Sequence, residues 1–541
     1  MRNAFAFLFL HSLVGGIYGN LHSNTYLEKY WNLGKTIQKY IPRNQSEKSN
    51  YTLSTFRGNG SGHVVTRNHR KTLRNQNHIE IDISKLNEVV SINHAEKTIT
   101  VESGCSMETL IDVALENGLL PKILPELKDI TVGGAIAGGG VETSSYKYGL
   151  FNEICKSIYI LCGDGSIRHC RRDSTEFRDL FGALPGSYGT LGIILCAEIE
   201  CNDAKPMVNL NVKSFKSIGD GLQFMSEQCH DKICDFIEAI QYPSGTMAVI
   251  SGFLYDSNHV NVSTSSSYRP DNRAEQWFFE YIESKCQENT SHRFSLPIKT
   301  YLFRYDRGAF WMALPLRFQR SVRFILRNAL LMPLFAMTHN NFISRTLFRR
   351  FFTTRLLYSL LRKAHPDIIA QRMLIMDVFV PWSKTKDLVE LVRHNITAYT
   401  TPIWLCPAVL SQPRIPQPFS PICQPPSSHR HPQLYMDVGI YGRVNDYQAR
   451  RYTRQIDRWT LKNNARKLLY SQHTYSEEEF WKSPSVVSQT PLDRGLYERI
   501  RNKYGALQAG FVDLYSKVVG KTVKVDTIGQ RWRSFWSYVI S

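Results

Sequence analysis

The chain has 541 residues, 43% of them hydrophobic and 21% charged, with a formal net charge of +19. That length suggests two to four domains, and the composition excludes the disordered and fibrous classes. The positive excess points to nucleic acid, an anionic membrane or a phosphate-bearing ligand; with no zinc-finger spacing, RNP-like motif or basic zipper region in the sequence, nucleic acid ranks last.

At the N-terminus Arg2 precedes an apolar stretch from Ala4 to about Gly19. It is short and glycine-rich for a spanning helix of ~20 residues, and reads as a secretory signal or N-terminal membrane anchor over residues 1–22. NHIEIDIS (77–84) alternates apolar and polar residues as a half-buried strand does, and KTITVESG (97–104) repeats the pattern. Ser106 stands as an N-cap before METLIDVALENGLL, whose Met107, Leu110, Ile111, Ala114 and Leu115 share a helical face, and Gly118 is the stop.

The stretch 125–150 follows, PELKDITVGGAIAGGGVETSSYKYGL, in which five of the nine residues from Val132 to Gly140 are glycine. Glycine loses the most backbone entropy on ordering, so this stretch reads as a loop. SIYILCGDGSIRHC is strand-like with a hairpin turn at Asp164-Gly165, and SYGTLGIILCAEIEC (187–201) is a tight turn entering a strand. Together these form an α+β domain over residues 23–202, closed by the polar break NDAKP (202–206).

Beyond the break, QYPSGTMAVISGFLYD reads as a hairpin, and an Arg- and Phe-rich middle surrounds ILRNALLMPLFAM (325–337). Two readings stand for that middle: a basic apolar helix lying on an anionic membrane, or a core helix pair with solvated arginines. SQPRIPQPFSPICQPPSSHRHP (411–432) is a surface loop, EEEFW and LDRGLYERIRNKYG are helical, and residues 521–541 form a separate tail. Eleven dispersed cysteines without a CxxC pair favour buried free thiols over disulfides, and no metal site is expected.

Three nucleotide-loop patterns can be tested against the glycines. GKT occurs at Gly34 and Gly520, but the upstream P-loop positions hold Lys29 and Tyr515. GGAIAGGG has the wrong spacing for a dinucleotide fingerprint and follows ELKDIT, which is no apolar strand. What remains is a nest of backbone N–H groups able to hold an anion, paired with a second bare turn, YGTLG (188–192). Two such turns suit an elongated dinucleotide; two tight turns without a ligand are the alternative.

PELKDITVGGAIAGGGVETSSYKYGLF, followed by GSYGTLGIILCAEI, resembles the flavin domain of the delta24-sterol reductases, a group within the vanillyl-alcohol-oxidase-like, FAD-binding PCMH-type proteins. FRYDRGAFW (303–311), PIWLCP (402–407), LYMDVGIYG (434–442) and LLYSQHTYSEEEFW (468–481) resemble that group's second half, so the likeness covers about residues 60 to 515. It implies an α+β fold: a two-subdomain FAD-binding domain, then a larger α+β cap or substrate domain over residues 203–520. Bacterial FAD-linked oxidases share the first half.

By this resemblance FAD lies, without a covalent bond, along Thr131, Val132, Gly133, Gly134, Ala135, Ile136, Ala137, Gly138, Gly139, Gly140, Val141, Glu142 and Thr143, with Thr190, Leu191 and Gly192 on its other side. STFRGNGSGHVVT (54–66) departs from the group's usual turn; His63 is a solvated turn histidine or a covalent flavin ligand. The implied activity is reduction of the side-chain double bond of a sterol, with NADPH as electron donor, at the endoplasmic reticulum membrane or the Golgi. An acid must then protonate one alkene carbon, and Tyr475, Glu238, Asp437, Tyr441 and Asp306 are the titratable residues inside the family-like stretches, Tyr475 first. Arg304 and Arg307 are candidates either for phosphate contacts or for facing lipid headgroups. The alternatives are an FAD-linked oxidase of an alcohol or lactone, or a lipid-binding or scaffold homologue without activity.

Overall fold

The structure, a computed structural model, describes residues 23–40, 51–56, 78–256, 268, 275–288, 291–312, 353–355, 371–410, 415–421, 434–444, 446–481 and 494–518. The N-terminal apolar segment, His63 and its turn, the Arg-rich stretch 313–350, most of the loop 411–432 and the tail after Lys521 lie outside the described residues.

The first unit is a small sheet and a larger one. β1 (Thr52–Phe56) and β2 (His78–Asp82) pair in parallel, with Thr52 opposite His78. β3 (Val89–Asn93), β4 (Thr98–Glu102), β5 (Leu119–Pro121), β6 (Cys155–Cys162), β7 (Ile167–Arg171) and β8 (Gly192–Asp203) form the second, in the order β3-β4-β8-β6-β7 with β5 on β8. The helix Met107–Glu116 begins at Ser106, whose Oγ accepts from the Thr109 N–H at 3.1 Å, satisfying one of the free donors of the first turn. Its Met107, Leu110, Ile111 and Ala114 are buried, the face that the apolar spacing predicts. β6 and β7 are the hairpin expected at Asp164-Gly165, and Gly165 has a φ of 79°.

The second unit is built on one antiparallel sheet. β9 (Met207–Phe215), β10 (Phe236–Gln241), β11 (Met247–Tyr255), β12 (Ser291–Pro297), β13 (Met373–Pro381), β14 (Ile403–Ala408), β15 (Tyr435–Arg443) and β16 (Arg466–Lys467) run in the order β12-β9-β11-β10-β14-β15-β13-β16. Side chains alternate across a sheet with period two, and here the two faces do different things. Ile237, Met376, Leu405 and Val438 face a core shared with the helices Ile218–Asp231, Thr385–Glu390 and Ala449–Lys462. Phe236, Ile375, Trp404 and Tyr435 face the other way, into one continuous core with Ile99, Val132, Ile136 and Ile194 of the first unit. Everything placed on that second face stands between the two units.

Residues 494–518 return to the first unit after the second is complete. The Leu53 N–H donates to the Gly510 carbonyl at 2.7 Å and the Gly163 N–H to the Tyr504 carbonyl at 2.9 Å. A Cβ at Gly163 would lie 2.3 Å from the Gly505 oxygen, so only glycine permits this approach. The ten described cysteines are free, as the dispersed spacing predicts. Burial pushes Cys105 and Cys196 up to about 12, which keeps both as unreactive thiols. Among the described residues no helix is long and apolar enough to cross a membrane.

Candidate active site

The glycine-rich stretch is not the open loop that its composition predicts. Val132–Gly138 is a short α-helix whose N-cap, Thr131, accepts from the Gly134 N–H at 3.3 Å. The N–H groups of Val132, Gly133 and Ala135 donate to the carbonyls of Cys105, Ser103 and Thr131. An anion nest needs those donors free, so the start of this stretch is not one. The glycines answer to packing instead. A Cβ at Gly133 would stand 2.7 Å from the Ser103 Cβ, and one at Gly140 would stand 3.0 Å from Pro125. Tertiary packing of Val132, Ala135, Ile136 and Ala137 thus overrides the weak propensity of the segment.

The helix ends at Gly139, in the left-handed region at φ 76°. Gly138, Gly186 and Tyr188 of the first unit face Lys467, Leu468 and Tyr475 of the second across a cleft. Tyr188 is left-handed too, at φ 51°, and its hydroxyl accepts from the Tyr470 N–H at 3.1 Å while donating to the Gly138 carbonyl at 3.3 Å. Ser187 beside it is fully buried, and its hydroxyl has no partner among the described residues. A floor without side chains and an aromatic wall fit a flat ring system such as that of FAD. The second turn is firmly held: Thr190 donates to the Ser187 carbonyl at 2.8 Å and accepts from the Tyr497 hydroxyl at 2.8 Å. Leu191 is buried beside it, and Gly192 opens β8. Farther along the glycine-rich stretch, Val141 is buried, the Glu142 N–H donates to Ser145, and Thr143 shares a hydrogen bond with Tyr301 at 3.1 Å.

On the sheet face behind the cleft stands a set of buried charges. Arg304 lies between two carboxylates, donating to Glu142 of the first unit and Glu238 on β10, both at 2.8 Å. Glu238 also accepts from the Tyr305 hydroxyl at 2.9 Å and the Trp404 indole at 2.7 Å. This arrangement corrects the expectation that Arg304 contacts a phosphate: its guanidinium is buried and committed within the protein. It bolts the units together.

Three further carboxyls lie nearby. Asp377 on β13 accepts from the Tyr470 hydroxyl at 2.6 Å and from the Tyr441 hydroxyl, yet burial pushes it up to about 6. Asp437 on β15 is fully buried, neither of its oxygens has a donor among the described residues, and burial with the charges of Asp377 and Glu126 raises it well above the carboxylate range. Glu126 of the first unit is raised in the same way by burial, then by Glu142.

The sequence-predicted acids separate accordingly. Glu238, Asp437 and Tyr441 share the sheet face, where Glu238 is an anchored partner of Arg304 and Tyr441 donates to Asp377. Tyr475 lies across the cleft, its hydroxyl 2.7 Å from the Thr460 Oγ1, which itself donates to the Asp457 carbonyl. With the threonine proton thus committed, the phenol proton of Tyr475 points to that helix. Asp306 accepts from the Lys128 N–H at 3.3 Å and is pushed up to about 6 by burial. Asp377 and Glu126 were not singled out by the sequence; the one signal for Asp377 is a lone charge inside the apolar run LIMDVFV.

Comparison with known proteins accords with this geometry. An FAD binding domain model matches residues 48–171. The Delta(24)-sterol reductase of Homo sapiens is 28% identical over 442 residues, covering 80% of this chain and 76% of its own length. That of Arabidopsis thaliana is 27% identical over 471 residues, covering 81% and 76%. The chain is similar to the delta(24)-sterol reductases over about four-fifths of its length. The decaprenylphosphoryl-beta-D-ribose oxidase of Mycolicibacterium smegmatis is 33% identical, but over 134 residues that make up 25% of this chain and 29% of its own. The likeness to the sterol reductases therefore extends well into the second unit, and the likeness to the oxidase covers only a quarter of the chain.

Proposed function

We propose that the protein is an FAD-dependent oxidoreductase that reduces the delta24 side-chain double bond of a sterol, taking its electrons from NADPH at a membrane surface of the endoplasmic reticulum. The observation that carries this reading is the extent of the likeness to the sterol reductases, four-fifths of the chain, which takes in the second unit as well as the FAD-binding stretch.

Bound FAD supplies the hydride chemistry. Gly138, Gly186 and Tyr188 would hold its ring in the cleft. An unactivated alkene brings no carbonyl that the protein can polarise, so the chain must exclude water, hold the apolar side chain and give one proton. Phe310, packed 4.6 Å from Tyr441 and 5.3 Å from Trp404 between ring centroids, supplies an apolar wall beside the sheet face. Glu142, Arg304 and Glu238 fix the first unit against that face, which sets the distance between the two reacting ends.

Assayed with FAD, NADPH and desmosterol, the purified protein should give a product heavier by two hydrogens. Unchanged sterol, with an alcohol or lactone oxidised at the expense of oxygen, would assign it instead to the FAD-linked oxidases that its first unit also resembles.

A further inference from the structure

Resting on that reading, we propose that Asp437 is the proton donor to the alkene, with Asp377 and Glu126 as positioning residues, so that the acid is assembled from both units.

The surroundings of Asp437 set it apart from the other candidates. It is fully buried on β15, with Cys406 on β14 and Phe379 on β13 directly opposite. Five of the donors around this face are committed elsewhere. Trp404 and Tyr305 give their protons to Glu238, Arg304 is divided between Glu142 and Glu238, and Tyr441 and Tyr470 serve Asp377. A buried carboxylate without a donor is untenable, whereas a neutral carboxyl can remain there. An alkene offers no hydrogen-bond acceptor in its ground state, so an acid that serves one stands unpartnered until the bond begins to form. Glycine at position 439 leaves the space along the strand to the Tyr441 ring, whose atoms would lie 2.7 Å from any Cβ there.

The carboxyls facing Asp437 favour its neutral form. Asp377 on β13 and Glu126 of the first unit both raise it, while Cys406 on β14 and Tyr441 on β15 are themselves held neutral by burial. Of the buried cations on this face, Arg304 is paired with Glu142 and Glu238, and Arg466 on β16, opposite Phe379, donates to the Ser420 carbonyl at 2.6 Å. In the step, the Asp437 O–H bond breaks as a C–H bond forms at one alkene carbon. Bound FAD in its reduced form would supply the hydride for the second C–H bond and with it both electrons. The Asp437 carboxylate then regains its proton from water.

The full chain loaded with FAD tests this in two ways. At neutral pH its infrared difference spectrum against Asp437→Asn should contain a carboxylic-acid carbonyl band that shifts in deuterated water. After anaerobic reduction with dithionite, a delta24-sterol should reoxidise the flavin at least ~100-fold more slowly in Asp437→Asn than in the wild type. In Asp377→Asn, where the neighbouring charge is gone, the fall in reoxidation rate with rising pH should move to lower pH. No carbonyl band, or a wild-type rate in Asp437→Asn, overturns the assignment. If that variant does not retain FAD, an unshifted profile in Asp377→Asn overturns it. A wild type that no sterol reoxidises sinks the sterol-reductase reading, and the infrared band still decides the protonation of Asp437.

Discussion

Glu238 and Arg304 show how far a residue's role depends on partners remote in sequence. Arg304 binds carboxylates 162 and 66 positions away, and nothing in FRYDRGAFW announces either one, so a phosphate contact was the natural expectation. Replacing Glu238 with Gln strips Arg304 of one counter-charge in a buried site, which costs about 3–5 kcal/mol. Urea unfolding should record that loss as a lower midpoint. Asp377 gives a pH prediction. Its folded-state value of about 6 lies above the ordinary carboxyl value of 3.8. Between those values the native state binds more protons than the unfolded chain, so the Asp377 contribution to stability falls as pH rises from about 4 to about 6. Asp377→Asn should flatten that part of the stability profile, as urea titrations at a series of pH values will record. Asp437 and Tyr441 lie within LYMDVGIYG and Glu126 within PELKDITV, while Glu238 and Asp377 lie outside the quoted stretches. What sets Asp377, Asp437 and Glu126 beside one another is strand register together with the docking of the two units, which no local pattern carries.

The elements with a clear period were legible, and the glycine-rich one was not. Ser106 and the apolar spacing after it define the helix Met107–Glu116, and the two hairpins fall where Asp164-Gly165 and Ser244-Gly245 place them. Val132–Gly138 misleads because each glycine serves a contact with another element, and composition cannot tell a bare turn from close packing. Glycines differ in this respect, and the difference can be measured. At Gly118, φ is 70° with open space around it, so Gly118→Ala should cost about 1 kcal/mol for the left-handed backbone alone. Gly186 has a φ of 77° and the Phe419 oxygen 1.8 Å from any Cβ. Gly186→Ala should cost about 4 kcal/mol and weaken flavin retention, since the cleft floor must move. Equal midpoints for the two variants would contradict this distinction.

The described residues form three sheets in two units that meet through a shared core, and the segment 494–518 packs back on the first unit. The polar break at 202–206 marks where one unit ends along the chain, but residues 494–518 cross back, a return no local pattern foretells. Tyr497 ties that return to the second turn, donating to Thr190 and accepting from the Leu514 N–H at 2.9 Å. Tyr497→Phe leaves both partners buried without their bond, at about 1–3 kcal/mol. It should also release flavin at lower urea than the wild type, a change that flavin fluorescence reports.

The central claim, that electrons pass from NADPH through FAD to a sterol alkene, is tested most directly without oxygen. NADPH should bleach the visible absorption of the FAD-loaded protein, and desmosterol added afterwards should restore it, one flavin for each alkene reduced. A flavin that NADPH leaves oxidised, or one that stays bleached after the sterol is added, would contradict the account.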